Sequence, residues 1–172
     1  MEKKVNPPNT KNSGIIKILT EINSQTVEFF RESVKIAPQR YAIEIKTQGG
    51  SLKDLYEIKQ IINHFVNLED TKHRKILYCS ILKEAFSAGL FLAQFAPFRL
   101  AYNENSKFFL HRAKKTNESV SNKSVLKTES FFFDYLSQRS GKSVKWLHSL
   151  AEKNIIIDAH EALSYRFIDG YL

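Results

Sequence analysis

Glu84-Ala85-Phe86-Ser87-Ala88-Gly89-Leu90-Phe91-Leu92-Ala93 follows directly on a strand-like run, Lys75-Ile76-Leu77-Tyr78-Cys79-Ser80-Ile81. A single serine stands where small residues open an apolar helix. A hydroxyl at such a turn lies beside free backbone N–H groups, which favour developing negative charge. A nucleophilic serine needs that setting, although a hydroxyl that merely caps the helix occupies the same position. Two neighbours sharpen the reading. Gly49-Gly50-Ser51 ends the strand Tyr41-Ala42-Ile43-Glu44-Ile45-Lys46, and Phe108-Phe109-Leu110 delivers His111, 24 residues after Ser87. Serine, histidine and a Gly-Gly turn thus close three strands.

Outward from this core the pattern alternates. Gly14 opens a short strand, Ile15-Ile16-Lys17-Ile18-Leu19, and Val27, Phe29, Phe30 and Val34 predict a helix capped by Ser24 and closed by Pro38. After Gly50, the series Leu52, Leu55, Ile58, Ile61, Ile62, Phe65 has helical spacing. Strands are predicted at residues 98–102 and at the approach to His111. The order βαβαβα argues for an α/β layer with mostly parallel strands. The remainder reads as helical. A helix from Ser119 to Arg139 carries Phe131-Phe132-Phe133 and Tyr135, and a second begins at Val144; Ile155-Ile156-Ile157 then forms a strand before a short helix. Residues 1–13 are polar and turn-prone and read as a flexible leader, which leaves 14–172 as one domain.

Hydrophobic residues make up 42% of the 172 and aromatics 12%, a globular composition. Lone Cys79 excludes a disulfide framework and reads as a small buried hydrophobe in a reducing compartment. No secretory signal opens the chain, and residues 85–101 are interrupted by Gln94, Pro97 and Arg99, so no membrane span is expected. A cytoplasmic protein is the expectation. The net charge of +8 is scattered, densest at Lys72/His73/Arg74/Lys75 and at His111/Arg112/Lys114/Lys115. No nucleic-acid-binding motif accompanies it, so nucleic acid is not expected as a partner. His64, His73, His148 and His160 form no metal-ligand spacing, and neither a metal nor a cofactor is expected.

With these residues in order, the chain resembles the Clp protease proteolytic subunit (ClpP) family and, more widely, the ClpP/crotonase fold. The markers are Ile43-Glu44-Ile45 leading into Gly49-Gly50-Ser51, Ala85-Phe86-Ser87-Ala88-Gly89, residues 97–102, Phe109-Leu110-His111, Ser140-Gly141, and Ala159-His160-Glu161-Ala162-Leu163 ending at Ile168-Asp169. The resemblance implies an α/β fold, a ClpP/crotonase-like repeated β-β-α spiral with mostly parallel strands and a C-terminal helical segment. It implies a serine peptidase with Ser87 as nucleophile, His111 as general base, and the N–H groups of Gly50 and Ala88 as oxyanion hole. It also implies a peptide or unfolded protein as substrate, a homo-oligomeric ring and an ATPase unfoldase as partner.

The chain departs from the family's pattern in several places. Matched without gaps back from Asp169, Leu150 falls where the family carries its triad aspartate. Glu152, Asp158 and Asp134 remain as carboxylates available to His111. Gln48 replaces the usual proline before Gly-Gly, and the segment from His111 to Ser140 is short and lacks the glycine-rich strand used to stack two rings. A single ring or small oligomer is therefore favoured over a double ring, with Phe131, Phe132, Phe133 and Tyr135 as the expected contact surface. Two alternatives stand beside the peptidase: a catalytically impaired or inactive family subunit with a structural or regulatory role, and an acyl-CoA enzyme on the crotonase fold.

Overall fold

Among the described residues, seven strands form one sheet in the order β1-β2-β3-β4-β7, with β5 pairing β3 and β6 pairing β5. The computed structural model describes residues 13–37, 40–67, 75–113 and 122–172. Residues 1–12 of the leader, Pro38, the Lys72–Arg74 cluster, Lys114 and Lys115 lie outside the described residues. The strands are β1 (Ser13–Ile18), β2 (Arg40–Thr47), β3 (Lys75–Phe86), β4 (Arg99–Ala101), β5 (Lys107–Phe109), β6 (Ile156–Asp158) and β7 (Gly170–Tyr171). The helices are α1 (Ser24–Ile36), α2 (Leu52–Asn67), α3 (Ala88–Ala93), α4 (Asn122–Ser140), α5 (Val144–Glu152) and α6 (Ala159–Ser164). All strand pairs are parallel except β5 with β6. The mostly parallel α/β architecture expected from the sequence is the one observed.

β3 does more than the sequence reading assigned to it. It continues through Glu84, Ala85 and Phe86, beyond the strand-like run that the sequence reading ended at Ile81. Its first half pairs with β4, from Cys79↔Arg99 to Ile81↔Ala101. Its second half pairs with β5, from Glu84↔Lys107 to Phe86↔Phe109. Backbone groups left unpaired in a buried segment are costly, and β5 supplies their partners. One strand therefore serves two sheet regions and carries the chain from the core to the Ser87 turn.

Helix α1 begins one residue earlier in its cap than the sequence suggested. Asn23, not Ser24, is the N-cap, and its side chain accepts from the Thr26 N–H at 3.1 Å. Thr26, Val27, Phe30 and Val34 form its buried face, which packs on α2 through Leu55, Ile58, Ile61 and Ile62. In α4, Phe132 and Phe133 are fully buried, and both rings contact Phe91 of α3. They belong to this subunit's own core and are not available as contact surface. Phe131 remains 37% exposed, with its ring edge-on to Tyr56 at 5.3 Å.

The C-terminal end is locked to β4 by a buried cation. Arg99 donates from Nε to Asp169 Oδ2 (2.9 Å) and from Nη2 to Oδ1 (2.6 Å), while its Nη1 reaches Gln94 Oε1 at 2.6 Å. The Asp169 N–H closes the exchange by donating to the Arg99 carbonyl at 2.7 Å. This fixes the last turn and lets the two-residue β7 join the sheet edge.

Candidate functional site

Ser87 sits between β3 and α3 with φ 51° and ψ −118°. A side-chain-bearing residue at positive φ stores strain of about 1–3 kcal/mol, which persists only when the surroundings over-determine it. They do so here. The Ser87 N–H donates to the Phe109 carbonyl at 2.7 Å, and its own carbonyl accepts from Leu90 N at 3.0 Å. Although Ser87 is the N-cap residue of α3, its hydroxyl makes no capping hydrogen bond. The structural role that a turn serine ordinarily fills is thus absent, and the backbone alone holds the turn.

The same β3–β5 register brings the histidine segment to this turn. The ladder ends at Phe86↔Phe109, Ser87 adds the final bond to Phe109, and His111 follows two residues later. The imidazole packs beside Phe109 with ring centres 5.3 Å apart. His111 Nδ1 lies 2.6 Å from the Arg112 carbonyl oxygen. A carbonyl can only accept, so Nδ1 carries the proton of this bond, and in the neutral ring the lone pair is on Nε2.

The glycine turn lies on the other side of Ser87. Gly49 has φ +109°, and a Cβ there would stand 2.8 Å from Ser87 Cβ and 2.8 Å from the Phe86 carbonyl. Gly50 has φ +139°, and a Cβ there would stand 2.2 Å from the carbonyl oxygen of Ile22. Both positions require glycine. Ile22 bridges this turn in parallel fashion: its N–H donates to Gly49 O and its carbonyl accepts from Ser51 N, each at 2.8 Å. That pattern turns the N–H of Gly50 away from Ile22, and among the described residues it meets no acceptor. The Ala88 N–H, at the first position of α3, has none either. A cleft of about 340 Å³ opens beside the turn, lined by Leu19, Glu21, Lys46, Thr47, Gly50 and Glu84 among others.

Each of the three carboxylates named from the sequence has another neighbour. Glu152 is 68% exposed and approaches Arg112 at 4.0 Å. Asp158 caps α6, accepting from Glu161 N at 2.7 Å in a full capping box. Asp134 is exposed on α4 and lies 3.5 Å from the Ser130 hydroxyl. Leu150 is 4% exposed and packs in the core. Among the described residues none of the three carboxylates is paired with His111.

The sequence reading missed Glu129, which is 4% exposed on α4. Its carboxylate accepts from Arg112 Nε (3.0 Å), Arg112 Nη2 (2.8 Å) and the Ala113 N–H (2.6 Å). Burial alone would raise its pKa, but the bonds from Arg112 and Ala113 hold it below the usual carboxylate range. The one available signal was the buried face of α4, since position 129 shares a helix stripe with Phe132, Phe133 and Leu136.

Among the described residues no group of three or more His, Cys, Asp or Glu could hold a metal, and no helix is long and apolar enough to cross a membrane. Burial drives the Cys79 thiol strongly upward, which keeps it an inert thiol.

No known family's sequence profile matches the chain. A curated ATP-dependent Clp protease proteolytic subunit from Streptococcus uberis is 30% identical over 76 residues, 40% of this chain and 39% of that protein. Its counterpart from Streptococcus mutans is 30% identical over 73 residues, 38% and 37% of the respective lengths. The matches therefore span less than half of those relatives. The crystal structure of the ClpP protease catalytic domain from Plasmodium falciparum superposes with a TM-score of 0.78 over 92% of this chain and 85% of that chain, at 19% identity. The chain has the fold of that ClpP catalytic domain over 92% of its length and sequence likeness to the curated subunits over part of it.

Proposed function

We propose that the protein is a ClpP-like serine peptidase in which Ser87 attacks the scissile carbonyl and His111 acts as general base. The observation that carries this reading is the Ser87 backbone, held at φ 51° with an uncommitted hydroxyl. Strained residues of this kind cluster at active sites, where the strain is part of the mechanism. His111 Nε2 takes the Ser87 proton as the Oγ–C bond forms. The oxyanion is met by the N–H groups of Gly50 and Ala88, each worth on the order of 3 kcal/mol in the transition state. Collapse of the tetrahedral species breaks the C–N bond, the imidazolium returns its proton to the leaving amine, and water then hydrolyses the acyl-serine by the reverse proton path. Pairing of an extended peptide segment beside Gly50 is part of the proposal; the Gly49 N–H and carbonyl are already bonded to Thr47 and Ile22.

The Arg112 carbonyl fixes the His111 tautomer but supplies a dipole where a carboxylate would supply a charge. The imidazolium is accordingly stabilised less, and slow turnover is the expected rate regime. The same observation favours a second reading, a subunit whose hydrolysis is negligible and whose role is structural or regulatory. Substrates of the proposed peptidase are peptides or unfolded chains. A homo-oligomeric ring, an ATPase unfoldase as partner and a cytoplasmic setting are part of the same proposal, and the likeness to subunits of an ATP-dependent protease supports the ATPase.

The test is covalent labelling of Ser87 by a fluorophosphonate, together with peptide hydrolysis by wild type and Ser87→Ala. Labelling and turnover lost in the variant support the peptidase. Labelling without measurable turnover supports the second reading, and no labelling of the wild type sinks the nucleophile assignment.

A further inference from the structure

The carbonyl that receives His111 and the N–H that Glu129 receives belong to one peptide group, the amide joining Arg112 to Ala113. In a trans peptide the C=O and N–H point in opposite directions. Glu129 therefore stands on one edge of this peptide group, with Ala113 N at 2.6 Å from Oε1. His111 stands on the other, with Nδ1 at 2.6 Å from the Arg112 oxygen. The Arg112 guanidinium closes the clamp by donating to both oxygens of the same carboxylate, at 3.0 and 2.8 Å.

Resting on the serine-peptidase reading, we propose that Glu129 is the positioning residue of His111, acting through the 112–113 peptide group in place of a directly bonded carboxylate. The negative charge on the N–H side draws electron density toward the carbonyl oxygen, and hydrogen bonds in series strengthen one another. The carbonyl becomes a better acceptor for Nδ1–H and a better partner for the imidazolium. The clamp also fixes the plane of the peptide, and with it the direction of the acceptor. Bonds to a charged group are about twice as strong as neutral ones, so the anionic form of Glu129 matters. Its three donors and the Arg112 countercharge keep it ionised at neutral pH.

Nothing in this relay moves a proton to Glu129. The peptide N–H stays bonded to nitrogen throughout, and the carboxylate remains an acceptor. Its contribution is orientation and polarisation.

The proposal is tested on the full chain with Glu129→Gln, which is nearly isosteric and keeps an acceptor for Ala113, and with Glu129→Ala, which removes it. Two readouts are taken: the tautomer of His111 by nitrogen–proton correlation spectroscopy, and the rate of Ser87 modification by a fluorophosphonate. In wild type the Nδ1–H tautomer dominates. The expected result is a graded loss, with modification slowed on the order of tenfold in Glu129→Gln and a hundredfold in Glu129→Ala. The Nδ1–H resonance moves upfield in the first variant, and the tautomers mix in the second. Folded variants with wild-type tautomer and wild-type modification rate overturn the proposal. If wild-type Ser87 fails to react, the peptidase reading falls, while the tautomer still decides what Glu129 does. A change confined to melting temperature, with the His111 signals unmoved, makes Glu129 a structural residue only and overturns the proposal too.

Discussion

A Cβ on Gly49 would stand 2.8 Å from the Cβ of Ser87, closer than real side-chain carbons approach. The glycine turn and the serine turn are thus in direct contact, and the first cannot gain a side chain without moving the second.

Gly49→Ala should therefore disable the site before it unfolds the protein. The positive φ adds strain of about 1–2 kcal/mol, and the new methyl pushes on Ser87 and the Phe86 carbonyl. Fluorophosphonate modification of Ser87 should fall at least tenfold while the protein still melts cooperatively. Unchanged modification would mean that the Ser87 turn does not depend on this contact.

Gly50→Ala should act differently, through the Ile22 bridge. The added carbon meets backbone at 2.2 Å, which cannot rotate away. Overpacking of this kind costs about 1–3 kcal/mol, and the bridge between Ile22 and the turn should open. A fall in melting temperature of several degrees, with faster exchange of the Ile22 and Ser51 amides, is the expected outcome.

Leu150→Asp should destabilise strongly and should not accelerate any hydrolysis. Leu150 is packed in the hydrophobic core. Deleting the leucine contacts and burying an unpaired charge should together cost at least about 3 kcal/mol. Chemical denaturation would measure this. A stable, faster variant would restore position 150 as the third triad member.

Asp169→Ala should strand the buried Arg99 guanidinium, at about 3 kcal/mol. The acid limb of stability should change with it. Burial alone would raise the Asp169 pKa, but Arg99 and its backbone N–H hold it below the unfolded value of about 3.9. A depressed folded pKa contributes stability that is full above the unfolded pKa and is lost as pH falls through the folded one. Wild type should thus lose stability below about pH 4 more steeply than the variant, measured by denaturant melts at several pH values.

Phe131→Asp should weaken any self-association while leaving the fold intact. Phe131 is the partly exposed member of the aromatic run, and it shares a surface with Tyr56. Sedimentation velocity on wild type and variant checks this, and identical distributions would remove this face as a contact surface.

The alternation of strands and helices was legible because each parallel strand is a short apolar run and each helix shows a 3.6-residue stripe. The limits of that legibility are equally physical. β3 was cut short because Lys83 and Glu84 interrupt its apolar run, and the strand is carried past them by pairing of Glu84 with Lys107 of β5 and of Ala85 with Thr47 of β2. β7 is two residues long and exists because Asp169 is anchored to Arg99. Ser87 and His111 could be named from their strand ends. Glu129 could not, because a glutamate in a helix is ordinarily solvated, and its burial depends on a cation 17 positions away. The three phenylalanines of α4 looked alike in sequence; helical geometry sends two of them inward and leaves the third at the surface.

The shared strand β3 also sets the timescale on which the Ser87 turn can loosen. Amide exchange at Ser87 requires breaking its bond to Phe109, which terminates a ladder continuous with the buried centre of the sheet. Local opening there cannot proceed without fraying β5, and β5 is itself pinned by β6. The Ser87 amide should accordingly exchange as slowly as those of the sheet interior, a strained turn with the kinetic protection of a core strand.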